Sequence, residues 1–197
     1  MSPLSILVNC IILSVAFQGT FSMPGNVAVP TPSIQNITAQ LVYVCDIGMR
    51  GAYRRDDYTH TPGIGSHKLH TKAEKWNQAR KICNDEGGHL AIINSNAERR
   101  ALVELFDRSG SVVGADHTFE ALLGIHDLYA EGDWVTVFGE PIAKTGFVEW
   151  SDRWNGQPDN WGHNQHCGAM LKDGTMDDVR CDKAFAFFCE IPEITPL

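Results

Sequence analysis

The stretch Gln157-Pro158-Asp159-Asn160-Trp161-Gly162-His163-Asn164-Gln165-His166-Cys167, taken with Met176-Asp177-Asp178, decides the fold and the chemistry expected of this chain. Between them the two stretches carry five side chains with an available oxygen: Gln157, Asp159, Gln165, Asp177 and Asp178. Three carboxylates and two amide carbonyls are hard oxygen ligands of the kind Ca²⁺ takes, whereas zinc would draw Cys and His. Taken singly, Pro-Asp-Asn and Asp-Asp are ordinary turn residues. Their joint spacing, with Cys167 and Cys181 bracketing the second half, favours a calcium-binding loop over a set of solvated turns.

These motifs resemble those of the C-type lectins, and the resemblance runs from about residue 69 to residue 190. In that family one calcium is held by a Gln-Pro-Asp or Glu-Pro-Asn triplet with a cis proline, an acidic residue two before a cysteine, and Trp-Asn-Asp before the next cysteine. Gln157, Pro158 and Asp159 fit the triplet, and Asp178 fits the last Asp. Three positions depart: Gln165 stands where the family has Glu, Asp177 where it has Asn, and Met176 where it has Trp. One carboxylate is lost and one gained, so the five ligands still carry three negative charges.

The resemblance implies an α+β, C-type lectin-like fold, with two helices, small antiparallel sheets and a long calcium-binding loop. It also implies calcium-dependent carbohydrate recognition, in which two neighbouring sugar hydroxyls complete the shell of the ion. Gln157, Asp159, Gln165 and Asp177 would then contact sugar as well as metal. In the mannose-type arrangement the carboxylate precedes the amide. Gln157 with Asp159, and Gln165 with Asp177, invert that order, as in galactose-binding relatives, and Trp161 matches the aromatic on which such relatives stack the sugar. Lys68-Leu69-His70-Thr71 and Leu90-Ala91-Ile92-Ile93-Asn94-Ser95 resemble insect haemolymph lectins of the lipopolysaccharide-binding kind, which implies recognition of microbial surfaces in innate immunity. The competing reading is a lectin-like domain that binds a protein partner without sugar, and Gln165 and Met176 are its best support.

With 197 residues and 43% hydrophobic content, the chain can bury one core and carry appendages. Residues 4–17 are mostly apolar and a small, polar run follows, so residues 1–22 read as a signal peptide, too short for a comfortable membrane span. Residues 23–65 read as a linker or extension, residues 66–192 as the recognition domain, and residues 193–197 as a tail. Asn36-Ile37-Thr38 is the chain's N-glycosylation sequon, in a Pro- and Ser-rich stretch without a core pattern. The net charge of −8 disfavours nonspecific binding to nucleic acid or anionic membrane.

Of the six cysteines, Cys10 leaves with the signal, and secretion makes disulfides the expectation for the rest. The family resemblance implies Cys83 with Cys189 and Cys167 with Cys181, each loop worth roughly 3 to 5 kcal/mol by chain entropy. Cys45 is left over, either as a link to a second chain in a homodimer or as an unpaired thiol.

Along the domain, Lys68-Leu69-His70 reads as the first strand, and Thr71 with Glu74 as a capping box opening a helix that buries Trp76, Ala79, Ile82 and Cys83. Ser95 and Glu98 repeat the pattern before a second helix with Leu102, Leu105 and Phe106 inward. Leu122-Leu123-Gly124-Ile125 takes the place of the family's Trp-Ile-Gly-Leu strand. Trp134, Phe138, Phe147 and Trp150 read as parts of the central sheet. Asp127 and Glu131, where the family often builds an auxiliary calcium site, form a weaker candidate, because the other positions of that site here, Asn160, Gln165 and His166, carry no formal charge at neutral pH. His163 and His166 stand three apart, but no His-Glu-x-x-His helix, nucleophile elbow or phosphate loop accompanies them, and the sequence argues for no enzyme.

Overall fold

The computed structural model describes residues 55–193. The signal-peptide reading, Asn36, Cys45, most of the stretch expected as a linker and residues 194–197 lie outside the described residues. The elements are β1 (Thr59–Thr61), β2 (Gly65–Lys75), α1 (Trp76–Asp85), β3 (His89–Leu90), α2 (Asn96–Arg108), β4 (Glu120–His126), β5 (Val135–Thr136), β6 (Cys167–Leu171), β7 (Met176–Val179) and β8 (Ala184–Pro192). The architecture is α+β with two helices, as expected. The strands form one network in the order β1-β2-β8-β4-β6-β7, with β3 on β8 and β5 on β4. The sheet is mixed rather than purely antiparallel, because β4 and β8 run parallel, Ala121 beside Ala186 and Leu122 beside Phe187.

β4 lies in the middle of that order, and all seven of its residues are buried. Its side chains alternate between faces, as a strand's must. Leu122, together with Phe187, joins a cluster around Trp76, Ala79 and Cys83 of α1. Leu123, together with Phe188, joins the opposite cluster around Leu102 and Phe106 of α2. Two cores on two faces explain why this run of sequence is continuously apolar. Gly124 has no room for a side chain, since a Cβ there would collide with the carbonyl of Leu90. Each large apolar side chain so buried contributes about 1.5–3 kcal/mol.

The first capping box does not form. Thr71 and Glu74 lie in β2, and α1 begins only at Trp76, with Lys75 in extended conformation and no side-chain cap. The sheet claims the backbone instead: Glu74 and Lys75 pair with Phe185 and Ala184, and Val113 N–H donates to Thr71 at 2.8 Å. Tertiary pairing thus overrides a local signal. The second cap does form, with Ser95 Oγ accepting from Glu98 N–H at 3.1 Å. The Glu98 carboxylate accepts from Asn94 N–H at 2.8 Å and from the buried His67 ring at 2.9 Å, which ties α2 to β2.

Residues before 66 also pack on the sheet. β1 pairs with β2, and Tyr58 is buried with its hydroxyl donating to Glu86 at 2.6 Å. Of the aromatics assigned to the central sheet, Trp134 and Phe147 are buried in the core outside any strand, Trp150 makes an isolated bridge to Met176, and Phe138 is 63% exposed. The disulfides Cys83–Cys189 and Cys167–Cys181 both form. The first fastens α1 to β8, and the second closes the hairpin of β6 and β7 that carries the acidic pair.

Candidate functional site

The site is built from the irregular excursion between β5 and β6, supported from below by β7. Between residues 141 and 166 the chain forms short 3₁₀ turns at Ile142–Lys144, Arg153–Asn155 and Trp161–His163, and isolated bridges at Pro141 and Trp150. Gly, Pro, Asn and Asp leave it few helix or strand formers to work with. Trp154, Asn155, Asn160 and His163 all hold positive φ. Such conformations cost of order 1–3 kcal/mol for bulky residues and cluster at ligand sites. The peptide bond between Gln157 and Pro158 is cis.

Asp178 organises the loop from beneath. Its carboxylate, wholly buried, accepts from the backbone N–H of Asp159 at 2.9 Å and of Asn160 at 2.7 Å. Further ties come from within the excursion: Gln157 N–H donates to the Ser151 carbonyl at 2.7 Å, Trp161 N–H to Asp159 Oδ1 at 3.0 Å, and Gln165 N–H to Asn160 Oδ1 at 3.0 Å. Gln165 Nε2 donates to the carbonyl of Asp178 at 2.8 Å, which turns its Oε1 away. That Oε1 is buried without a hydrogen-bond partner. Met176, in the place of the family's Trp, is buried in the core.

Gln157, Asp159, Gln165, Asp177 and Trp161 line one cavity of about 520 Å³, together with His117, Glu120, Trp154 and Asn155. Trp161 is 76% exposed on its rim, so it does not anchor the loop to the core. Burial pushes the Asp177 carboxyl well above the carboxylate range, and the neighbouring Glu120 and Asp178 push it further. Burial raises Glu120 and Asp178 as well. Two carboxyls buried beside one another disfavour carrying both charges at once. Glu120 is a residue the sequence reading missed. The available signal was an acid at the head of the apolar run at residues 121–125.

The donor set suits calcium in kind: the proposed ligands offer hard oxygens only, and one amide oxygen among them is left without a donor. Gln157, Asp159, Gln165 and Asp177 face the cavity together, and Asp178 joins them from below. The auxiliary candidates also meet. His166 Nδ1 lies 3.0 Å from Asp127 Oδ1 and 3.6 Å from Glu131 Oε2, while Asp127 Oδ2 accepts from Gly132 N–H and Glu131 accepts from the Asn160 side chain. The imidazole sits between the two carboxylates and supplies a polar partner to both.

A family model described as "Lectin C-type domain" matches residues 72–191. The hemolymph lipopolysaccharide-binding protein of Periplaneta americana is 42% identical over 128 residues, which are 65% of this chain and 49% of that protein. The chain therefore spans about half of that relative's length. Among solved structures, the mouse scavenger receptor C-type lectin carbohydrate-recognition domain superposes with a TM-score of 0.59 at 23% identity, covering 72% of this chain and 99% of that one. A calcium-independent type II antifreeze protein superposes with a TM-score of 0.56 at 22% identity, covering 72% and 95%. The fold is common to both, so calcium has to be argued from the side chains. Among the described residues no helix is long and apolar enough to cross a membrane.

Proposed function

Because the chain belongs to the C-type lectin domain family, we propose that it is a secreted, calcium-dependent carbohydrate-binding protein that recognises microbial surface glycans. The observation that carries the calcium reading is the Gln165 carbonyl, buried without a donor at a cavity whose other walls are Gln157, Asp159 and Asp177. A buried polar atom of this kind is costly unless something pairs with it. Held among these oxygens, Ca²⁺ would act as a Lewis acid toward neighbouring sugar hydroxyls. Gln157 and Gln165 offer amide donors to those hydroxyls, and Asp159 and Asp177 offer acceptors. Asp178 holds the loop in register through the backbone of Asp159 and Asn160.

The order amide then carboxylate in both pairs favours galactose-like ligands over mannose. The exposed indole of Trp161 beside the cavity suits the apolar face of such a sugar, an interaction worth about 1 kcal/mol beyond area burial. The insect relative, named for binding lipopolysaccharide and for hemolymph, supports the microbial ligand and the extracellular setting. Asp127, Glu131 and His166 form a second, weaker cation site, with two carboxylates instead of three.

Immobilised protein loaded with a microbial glycan in calcium should release it to free galactose and to chelator, and should keep it in mannose. Elution by mannose alone would overturn the galactose reading. Binding unaffected by chelator or by either sugar would favour a lectin-like domain that binds a protein partner.

A further inference from the structure

We propose that Trp154, with Phe119 and His117, forms a second sugar subsite beside the candidate calcium loop, an aromatic platform that takes the next pyranose of a bound glycan. The proposal rests on the carbohydrate reading above and is independent of whether the first sugar is galactose or mannose.

The platform belongs to a row of rings that starts in the core. Phe185 of β8 is buried, and His117 stands edge-on against it, with centroids 6.1 Å apart and planes at 73°. Phe119 stacks on His117 at 5.1 Å and 10°, and Trp154 follows at 6.4 Å, tilted by 36°. The row thus runs from β8, past the residues leading into β4, to the excursion between β5 and β6. Exposure rises along it, from 2% at Phe185 to 37% at Phe119 and 52% at Trp154. Its inner end is fixed by packing, and its outer end offers aromatic surface to solvent.

The turn that presents Trp154 is firmly held. Trp154 has φ 52° and ψ 36°, a left-handed conformation that a bulky aromatic residue rarely adopts, and Asn155 follows at φ 78°. Such backbone persists where its surroundings over-determine it, and it gathers at ligand sites. Here Arg153 supplies the surroundings: its N–H donates to Ser151 Oγ at 3.1 Å, its carbonyl accepts from Gly156 N–H at 2.9 Å, and its guanidinium pairs with Asp173 at 2.7 Å. Trp154, Asn155 and His117 line the same cavity of about 520 Å³ as Gln157, Asp159 and Trp161. One pyranose held at Gln157 and Asp159 leaves part of that volume open. The remaining wall offers aromatic rings flanked by the Asn155 amide and the His117 imidazole, so its occupant combines an apolar face with a rim of hydrogen-bonding groups. A second pyranose joined to the first has that form, and rings already fixed in place bind it with little further ordering.

Calorimetric titration of the whole mature protein in calcium tests this, with methyl galactoside and methyl mannoside as one-ring probes and disaccharides ending in galactose or mannose, in each common linkage, as two-ring probes. In the wild type at least one disaccharide should bind roughly tenfold more tightly than its methyl glycoside, about the worth of one aromatic stack together with the area it buries. Trp154→Ala should bring the ratio of the two affinities to about one, because only the two-ring probe reaches the indole. A residue that merely supports the loop would weaken both probes by one factor and keep the ratio. A ratio kept in the variant, or a wild type in which no disaccharide exceeds its methyl glycoside, overturns the subsite and leaves the carbohydrate reading standing. A wild type that binds neither kind of probe removes both. Should Trp154→Ala fail to fold, Trp154→Gly is read in the same way, since glycine adopts the left-handed conformation freely.

Discussion

Replacing Asp178 with alanine tests the loop and the metal separately. The buried carboxylate accepts two backbone N–H groups, from Asp159 at 2.9 Å and Asn160 at 2.7 Å. Each donor stranded by the substitution costs about 1–3 kcal/mol, or about 2–6 kcal/mol together. Part of this is returned, because burial opposes the charge on Asp178 and raises its pKa, and the alanine is relieved of that burial. A net loss of about 2–4 kcal/mol remains, which for a domain of this size lowers Tm by roughly 5–15 °C. Melting followed by circular dichroism in chelator isolates this effect. A second effect appears in calcium: at about 100 times the dissociation constant the ion adds about 2.7 kcal/mol to the wild type, and the variant gains none of it. The gap between the two proteins therefore widens in calcium. Equal Tm values in chelator would show that Asp178 does not clamp the loop, and an equal calcium shift would show that it is not a ligand.

The acid pair gives the metal-free domain an unusual pH dependence. Glu120 and Asp177 have folded pKa values raised to about 7 and about 8, so their contribution to stability is present in acid and is lost as pH rises through that window. In chelator, Tm should fall as pH rises from about 4, where the carboxyls of the unfolded chain titrate, to about 8 and then level off, whereas in calcium it should fall toward acid as the ligands protonate. A scanning fluorimetry series showing a flat profile in chelator would refute the paired burial. Trp161→Ala should weaken galactose binding and leave the calcium titration unchanged, and parallel loss of both would mean that the indole supports the loop. Leu123→Ala, in the core beneath α2, should cost about 2–5 kcal/mol in urea unfolding. Cys45 should join two chains, so the mature protein should migrate as a dimer without reductant and as a monomer with it. A monomer in both lanes with one titratable thiol would rule the link out.

Much of the fold was legible because its signals were local or came with a resemblance. The α2 cap at Ser95 and Glu98 formed as the pattern predicts, and Gly124 in its apolar strand marks a place where backbone meets backbone. The Thr71 and Glu74 pattern failed because the competing interaction, pairing of β2 with β8, joins residues more than a hundred positions apart and leaves no trace in a short window. The pairing of β1 with β2, ahead of residue 66, was hidden for a similar reason. Tyr58 stands beside Arg54, Arg55, Asp56 and Asp57 in sequence, yet it is buried in the cluster around Trp76 and Cys83, with its hydroxyl donating to the Glu86 carboxylate. At the candidate site, the residues proposed as ligands could be read along the chain because the loop and β7 are neighbours in sequence. Glu120 could not, since its partnership with Asp177 is made across β6 and depends on the order of strands in the sheet.

The central claim is the calcium site, and its most direct measurement is a calorimetric titration of calcium into the metal-free protein. Gln157, Asp159, Gln165, Asp177 and Asp178 predict saturable binding with a dissociation constant on the order of 10⁻⁴ to 10⁻³ M, lost in Asp178→Ala. No heat beyond dilution at millimolar calcium, with the wild type folded, would contradict it.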